Sequence, residues 1–448
     1  MFASRADTRM NAPRKTELPR PRRRWRRRLL VLCATPLALL ALLWLVAWIA
    51  LPPERVVPMV LSQIGAALNL EISAEGDPAS RLGNSPTFVV RNVVAREPGA
   101  ATPLLRVERL LVALPWRTLR SLGDTLDLDR VELDAPALDV PALRRWLATR
   151  PPGGTRLPTL ADGLHVRNGR VDGDGWRVEA LDLSLPRLQP PQPLRATLRG
   201  RYADAGTQVP FDLAATLVRP ASGSGVGIAG HATLLRDGWR LPAWLTLSGA
   251  LHWNDGLQLL PLRFGASARY VAGETTIPFV LGAYGPLRRH GDAWTLVPAG
   301  VVVRGGGQVP TLDARGRLAL GGRLLLALDG RIAEWPADWP ALPPPLDRSR
   351  APLSVSVAYT EATDLSGPLQ LRVAREDPGS STGQALRFDG RLRIPAVADW
   401  AAAAARGSPL PPLDGRLEMP QVDISGARLE GVIVEFEDDG APAEATTP

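Results

Sequence analysis

Charge is missing from one stretch of this 448-residue chain, and lysine, cysteine and histidine are nearly missing from all of it. Residues 29–51 carry no charged side chain, Lys15 is the only lysine and Cys33 the only cysteine. Cys33 lies inside the uncharged stretch, so the rest of the chain has no thiol, which excludes structural disulfides and thiolate metal sites there. The four histidines, His165, His231, His252 and His290, stand singly, without HExxH or any other metal-ligand spacing. A G-x-S-x-G elbow and a P-loop are absent too. No catalytic, cofactor-binding or metal residue is singled out, and the expectation is a protein that is not an enzyme. Arginine in place of lysine, beside abundant alanine, glycine and proline, matches the coding bias of a GC-rich bacterial genome.

The formal charge of +8 points to nucleic acid until it is located. Residues 1–28 hold 11 of the 53 basic residues against Asp7 and Glu17, a net of +9, which leaves the remainder near −1. A phosphate-tracking surface needs clustered positive charge on the folded part. With no net excess there, nucleic acid is excluded as a partner.

Residues 29–51 (LLVLCATPLALLALLWLVAWIAL) are long enough for a transmembrane helix, since about 20 residues at about 1.5 Å each cross a hydrocarbon core. Pro36 is tolerable there, and Trp44 and Trp48 sit towards the far interface. Arg22, Arg23, Arg24, Arg26, Arg27 and Arg28 directly precede the span and place the tail at 1–28, read as disordered, in the cytoplasm. A cleaved signal peptide needs a small-x-small site. Trp48 stands before Ala50 and Leu45 before Ala47 at the position that should be small, and Leu32 precedes Cys33 where a lipoprotein needs a small residue. The expectation is an uncleaved single-pass anchor in the inner membrane of a Gram-negative envelope, with the body in the periplasm.

Val56, Val57, Val60, Ile64 and Leu68 recur at helical spacing, which predicts a juxtamembrane amphipathic helix within 52–70, and a helix packed on its own domain fits the spacing equally well. The period then changes to two over 71–436. Residues 126–133 alternate with a one-residue slip that reads as a bulge, and 176–185, 318–328 (broken at Gly321-Gly322) and 353–357 alternate as well. Glycine (42) and proline (44) are too numerous for a helical protein, so the body reads as mainly β. Asp139 with Pro141 predicts a short helix through Leu143 and Trp146, and 396–406 predicts another, ending at Gly407. Trp146, Trp339 and Trp400 each lead through a proline-rich connector (157–163, 342–347, 410–415) into alternating sequence. Such repeated units suggest an extended modular sheet rather than one compact sandwich. Residues 437–448 read as a disordered acidic tail.

Two glycine-rich stretches invite a functional reading and fail it. Gly225, Gly227 and Gly230 match G-x-G-x-x-G by letter, but no helix pattern opens behind them, so a flexible connector is expected. Asp172-Gly173-Asp174-Gly175 starts like a calcium loop, but Leu183 stands where the bidentate glutamate should be, and a hairpin turn is expected.

Behind the anchor come residues 71–76 (EISAEG), 86–94 (PTFVVRNVV), 105–114 (LRVERLLVAL), Trp116-Arg117-Thr118-Leu119 and 126–140 with Val131, Leu133, Pro136 and Leu138. This order resembles the N-terminal region of the AsmA-like family, and 424–434 (ISGARLEGVIV) resembles its closing strands. The likeness is specific from the anchor through about residue 140 and one of style beyond it. It implies an elongated, curled, mostly antiparallel β-groove with a few short helices, related in style to bridge-like lipid transfer proteins. It also implies binding of phospholipid or another envelope lipid, in transport or outer-membrane biogenesis. The groove would be lined by Leu181, Leu183, Leu185, Leu318, Leu320, Leu324, Leu326 and Leu328. The competing expectation is an anchored, non-catalytic β scaffold for envelope-assembly proteins, built as a closed sandwich with an exposed strand edge.

Overall fold

In the computed structural model the chain divides into two compact units, Met1–Val60 and Leu61–Pro448. The described residues belong to the second: Gly65, 69–81, 85–115, 127–149, 159–253, 256–291, 293–307, 309–333, 352–363, 366–376, 384–394, 396–397, 400, 412–424 and 426–437. The basic tail with its arginine cluster, the expected anchor at 29–51, nearly all of the expected juxtamembrane helix and residues 438–448 lie outside them. So do the connector at 342–347 and most of the helix expected at 396–406. Among the described residues no helix is long and apolar enough to cross a membrane.

The body is mainly β, and nearly all of it is one 21-stranded sheet. β1 (Glu71–Arg81), β2 (Thr87–Arg96) and β3 (Leu105–Ala113) form an antiparallel meander. β3 then pairs with β5 (Arg130–Asp134) and β6 (Ala137–Asp139), which share one rank and are split at Ala135, φ +47°. The chain crosses over through α1 (Val140–Ala148) and returns as β8 (Leu164–Asp172), parallel to β5 and β6. Asp139 caps α1 as expected, accepting from the Ala142 amide at 2.7 Å, with Pro141 in the first turn. Half-exposed Arg109, Arg130 and the more exposed Arg167 surround the buried carboxylate of Glu132 at 3.9, 2.6 and 3.7 Å, which ties β3, β5 and β8 together at the crossover.

From β8 onward every strand pairs antiparallel with its successor. The series runs β9 (Trp176–Leu185), β10 (Leu194–Asp204), β11 (Thr207–Leu217), β12 (Ser224–Arg236), β13 (Trp239–His252), β14 (Gln258–Ala272) and β15 (Thr275–His290). It continues with β16 (Ala293–Gly305), β17 (Leu312–Leu320), β18 (Leu324–Ile332), β19 (Leu353–Glu361), β20 (Leu369–Glu376), β21 (Gln384–Leu392), β22 (Leu413–Ile424) and β23 (Ala427–Phe436). At about 4.8 Å per rank the sheet extends about 90 Å along its hydrogen-bonding direction.

Two expectations are corrected here. The slip within 126–133 is a strand break rather than a bulge. β4 (Asp127–Leu128) leaves the main sheet to form a two-residue parallel ladder with β7 (Thr159–Leu160), while the Asp129 amide donates to the Ala113 carbonyl. Gly225, Gly227 and Gly230 lie inside β12 rather than in a connector. At Gly230 the neighbouring strand comes so close that a Cβ would stand 2.2 Å from the Asp212 carbonyl oxygen, so glycine here serves close backbone approach. The turn expected at 173–175 is present, with the Gly173 amide donating to the Trp176 carbonyl and Gly175 at φ +79°. Gly321-Gly322 lies in the β17–β18 hairpin.

β14 and β16 each carry an extra residue relative to both neighbours, at Leu260-Pro261 and at Val297-Pro298. Proline lacks the amide a regular ladder would use, and a bulge is where a strand accommodates it. Along this line Leu259, Leu262, Leu296 and Ala299 are buried against Leu247, Leu251, Leu287 and Leu318. A second buried cluster, with Leu353 and Val422 at 2% and 1% exposure, joins β18, β19, β21 and β22.

Candidate functional site

Direct partners in an antiparallel ladder point to the same side of a sheet, so the register identifies the residues that share a face. From Ala196 in β10 the partners run through Ala215, Ile228, Leu247, Phe264, Ala283 and Val301 to Ala314 in β17. The row continues through Gly330, Val355, Val373, Phe388 and Leu417 to Val434 in β23. No polar side chain interrupts it. A parallel row leads from Leu183 through Leu198, Leu213, Gly230, Leu245, Ala266, Leu281 and Val303 to Leu312, again without a polar residue.

All eight leucines expected to line a groove lie on this face. Leu318 pairs with Leu326, Leu320 with Leu324, and Leu328 sits opposite Gly316. Leu183 pairs with Leu198, and Leu181 and Leu185 share its side of β9. The structure does not bring the two sets together: β9 and β17 are eight ranks apart, about 38 Å. They are ends of one strip, and the residues that join them were not singled out from sequence. Alternation in β12–β16 is interrupted by Gly230 and Gly249 and shifted by one residue at the bulges of Pro261 and Pro298, so the shared face shows only in the register.

The burial of this strip varies along the sheet. In β9–β13 no side chain is fully buried; residues of the apolar face are half-buried and most of those on the other face are exposed. Leu328, Ile332, Leu353 and Val355, further along, are buried. A sandwich core would bury its inward side chains throughout.

The opposite face is charged and internally paired. Arg199 binds Asp212 at 2.5 Å, and Arg201 and Arg177 hold Glu179 at 2.9 and 3.5 Å. The hydrogen bond from Arg201 is the main reason that the Glu179 carboxyl titrates below its ordinary value. Asp389 lies between Arg372 and Arg387; partial burial alone would raise its pKa, but the two guanidinium groups outweigh this and lower it. One part of this face is different. A concavity of about 630 Å³ over β12–β16 contains Trp244, exposed at 47%, edge-on to His231 at 4.5 Å, with Val280, Arg269 and Arg304 beside it.

His165 touches Ser184 at 3.3 Å and His231 touches Trp244. Among the described residues no three His, Cys, Asp or Glu side chains gather as metal ligands would. Comparison of the chain with family models, curated proteins and solved structures finds no match.

Sequence reasoning also missed a motif that occurs twice. Trp176-Arg177-Val178 opens β9 and Trp239-Arg240-Leu241 opens β13, while Arg201-Tyr202-Ala203 closes β10 and Arg269-Tyr270-Val271 closes β14. Each Trp lies beside the Tyr of the following strand, 6.0 Å between rings for Trp176–Tyr202 and 5.6 Å for Trp239–Tyr270. Comparing W-R-aliphatic and R-Y-small across the chain would have revealed it.

Proposed function

We propose that the apolar face is a trough for lipid acyl chains, in a protein anchored in the bacterial inner membrane with its β-rich body in the periplasm, taking part in phospholipid transport or envelope biogenesis. The observation that carries this reading is the uninterrupted apolar strip from β10 to β23 together with the absence of fully buried side chains in β9–β13. Extended apolar surface left half in water is unfavourable by about 25 cal/mol per Å², and such surfaces mark interaction sites. An acyl chain recovers about 0.8 kcal/mol per methylene on leaving water, so it leaves a bilayer only for a surface as apolar as the bilayer interior. A strip without a polar break along many strands meets that requirement. The bulges in β14 and β16 increase local twist and bend, which supports a sheet curled around the strip. The sequence resemblance to the AsmA-like family, the anchor and the arginine cluster support the location.

The test is native mass spectrometry of the full-length chain purified from bacterial membranes in mild detergent. The proposal expects phospholipid bound in excess over a single-pass control protein of similar size. Lipid no greater than the control would overturn it.

The exposed Trp244, Val280 and Tyr284 on the charged face favour a second reading, a scaffold that docks envelope-assembly proteins, since exposed aromatics anchor protein contacts. Crosslinking in cells from Trp244, with loss of the adduct in Trp244→Ala and no lipid on the opposite face, would support the scaffold over the trough.

A further inference from the structure

We propose that the concavity on the charged face over β12–β16 binds an acidic, extended segment of a partner protein. This rests on the docking reading above, adds the chemistry of the partner, and is independent of the acyl-chain reading on the other face.

Charge is unevenly distributed along the sheet. The strands β12, β13, β14, β15 and β16 contain arginine but no aspartate or glutamate. The carboxylates of this stretch, Asp237, Asp255, Glu274 and Asp292, all fall between strands. On either side of it the arginines of the same face are matched by carboxylates, as in Arg199–Asp212 and Arg372–Asp389. Within it the register places Arg304 beside Val280, Arg263 beside Tyr284 and Arg269 beside Pro278, while Arg240 shares Trp244's side of β13. All four arginines are exposed, and among the described residues none has an ion pair or a side-chain hydrogen bond. Arginines left without carboxylates keep their full field, which draws an acidic partner and repels a basic one.

Apolar anchors stand among these charges. Trp244, Ser267, Val280 and Arg304 form one row of direct partners across β13–β16. His231 packs edge-on to Trp244 at 4.5 Å, and Tyr284 lies over Gly300, where an added Cβ would meet the Tyr284 ring at 2.0 Å. Trp, Tyr and Arg carry most of the binding energy in protein contacts, and rings already packed in place lose little freedom on binding. Shape separates the two kinds of anionic partner. A bilayer surface is broad and meets a protein on its ridges, whereas Trp244, Arg269 and Arg304 border a concavity of about 630 Å³. An extended polypeptide can enter it, with carboxylates at the arginines and an apolar side chain against Trp244 and Val280.

The test uses the full-length chain in nanodiscs containing phosphatidylglycerol, with p-benzoylphenylalanine in place of Val280, which is 50% exposed. The probe is a short biotinylated peptide in which glutamate alternates with leucine and proline, beside counterparts with glutamine or lysine for every glutamate. Adducts are mapped to position 280 by peptide mass spectrometry, so binding to the basic N-terminal tail does not contribute. The glutamate peptide is expected to give about tenfold more adduct than the glutamine peptide, and added salt to lower it. Little adduct is expected when the photoreactive group stands instead at Gln370, exposed on the same face beside the paired Arg372. Arg269→Gln combined with Arg304→Gln is expected to lower the adduct about tenfold and Trp244→Ala several-fold, while Arg372→Gln changes nothing. Circular dichroism confirms that the variants keep their strand content. Equal adducts from the glutamine or lysine peptide would overturn the acidic chemistry and leave a docking face standing. No adduct from any peptide would remove docking from this face, and lipid adducts in their place would assign it to a membrane surface; either result overturns the proposal.

Discussion

Ala214 and Ala215 are neighbours in β11 with the same side chain, yet Ala214 is exposed and Ala215 half-buried. Their direct partners do not explain the difference in bulk, for Ala214 lies between Thr197 and Ala229 and Ala215 between Ala196 and Ile228. On their own sides of β11 Ala215 lies between Leu213 and Leu217 and Ala214 between Asp212 and Thr216, so aliphatic neighbours cover the one and leave the other open. The proposed trough requires that this better-covered side also curl inward.

The first prediction places a charge in the strip. Leu198 and Leu247 are half-buried in β10 and β13. Leu198→Glu and Leu247→Glu leave each carboxylate a path to water, so the fold tolerates them, while an acyl chain beside an ionised carboxylate loses its apolar contact. The expected outcome is unchanged strand content by circular dichroism and phospholipid retention reduced by about tenfold, equivalent to losing two methylenes of contact. Full retention in both variants would argue that lipid, if bound, lies elsewhere.

The second prediction separates strip from core. Leu353, at 2% exposure, packs against Ile332, Val355 and Val422, so Leu353→Ala is expected to destabilise the body by about 2–5 kcal/mol. Leu198→Ala removes the same atoms from a half-exposed site and is expected to cost less than about 1.5 kcal/mol. Urea denaturation of the two variants checks the ratio. Equal losses would mean that β10 is as enclosed as β19 and that the strip is an ordinary core.

How much of this was legible in the sequence depended on the regularity of alternation. Residues 176–185 read as a strand, which is β9, and the break at Gly321-Gly322 marked the β17–β18 hairpin, because Leu181, Leu183 and Leu185, and the leucines on either side of the glycine pair, alternate. Asp139 and Pro141 announced α1 for the same local reason. β12–β16 were not legible, although they are the longest strands, because glycine and proline inside them read as turns. Gly230 is such a case: its close approach to Asp212 depends on a partner strand that the local sequence does not reveal. The apolar row was out of reach for a related reason, since it exists only through register between residues far apart in the chain.

Gly230 supplies the third prediction. Its φ of +154° and the 2.2 Å distance from a built Cβ to the Asp212 carbonyl oxygen leave no room for a side chain. Gly230→Val is expected to separate β11 from β12 locally and destabilise the body by about 2–4 kcal/mol. Gly227→Val, with nothing within 4 Å of a built Cβ on the opposite side of the same strand, is expected to be near neutral. Hydrogen exchange of the β11 and β12 amides distinguishes the two variants.

The fourth prediction concerns acid. The Asp389 pKa is lower folded than unfolded, because Arg372 and Arg387 outweigh the effect of partial burial. Its contribution is therefore present above the unfolded carboxylate pKa of about 4 and is lost as pH falls through the lower folded value. With the side chain 35% exposed the contribution is screened and amounts to less than about 1 kcal/mol. Thermal denaturation of Asp389→Asn is expected to show slightly lower stability than wild type at pH 7 and a shallower decline below about pH 4. A decline as steep as wild type would assign the acid sensitivity to other carboxylates.

The last prediction tests the location on which the proposed function depends. Residues 29–51 carry no charge, and Arg22, Arg23, Arg24, Arg26, Arg27 and Arg28 stand immediately before them. Basic residues next to a span stay on the cytoplasmic side because anionic lipid and the membrane potential both oppose their transfer. A reporter that folds only in an oxidising compartment, fused after residue 437, is expected to be active in bacterial cells and to fractionate with the inner membrane. Replacing the six arginines with glutamate is expected to lower that activity several-fold while the protein still accumulates, because the span then loses its preferred orientation. A soluble, fully active fusion would show cleavage rather than anchorage, and a fusion inactive with the arginines intact would put the body in the cytoplasm, where a trough for envelope lipid has nothing to carry.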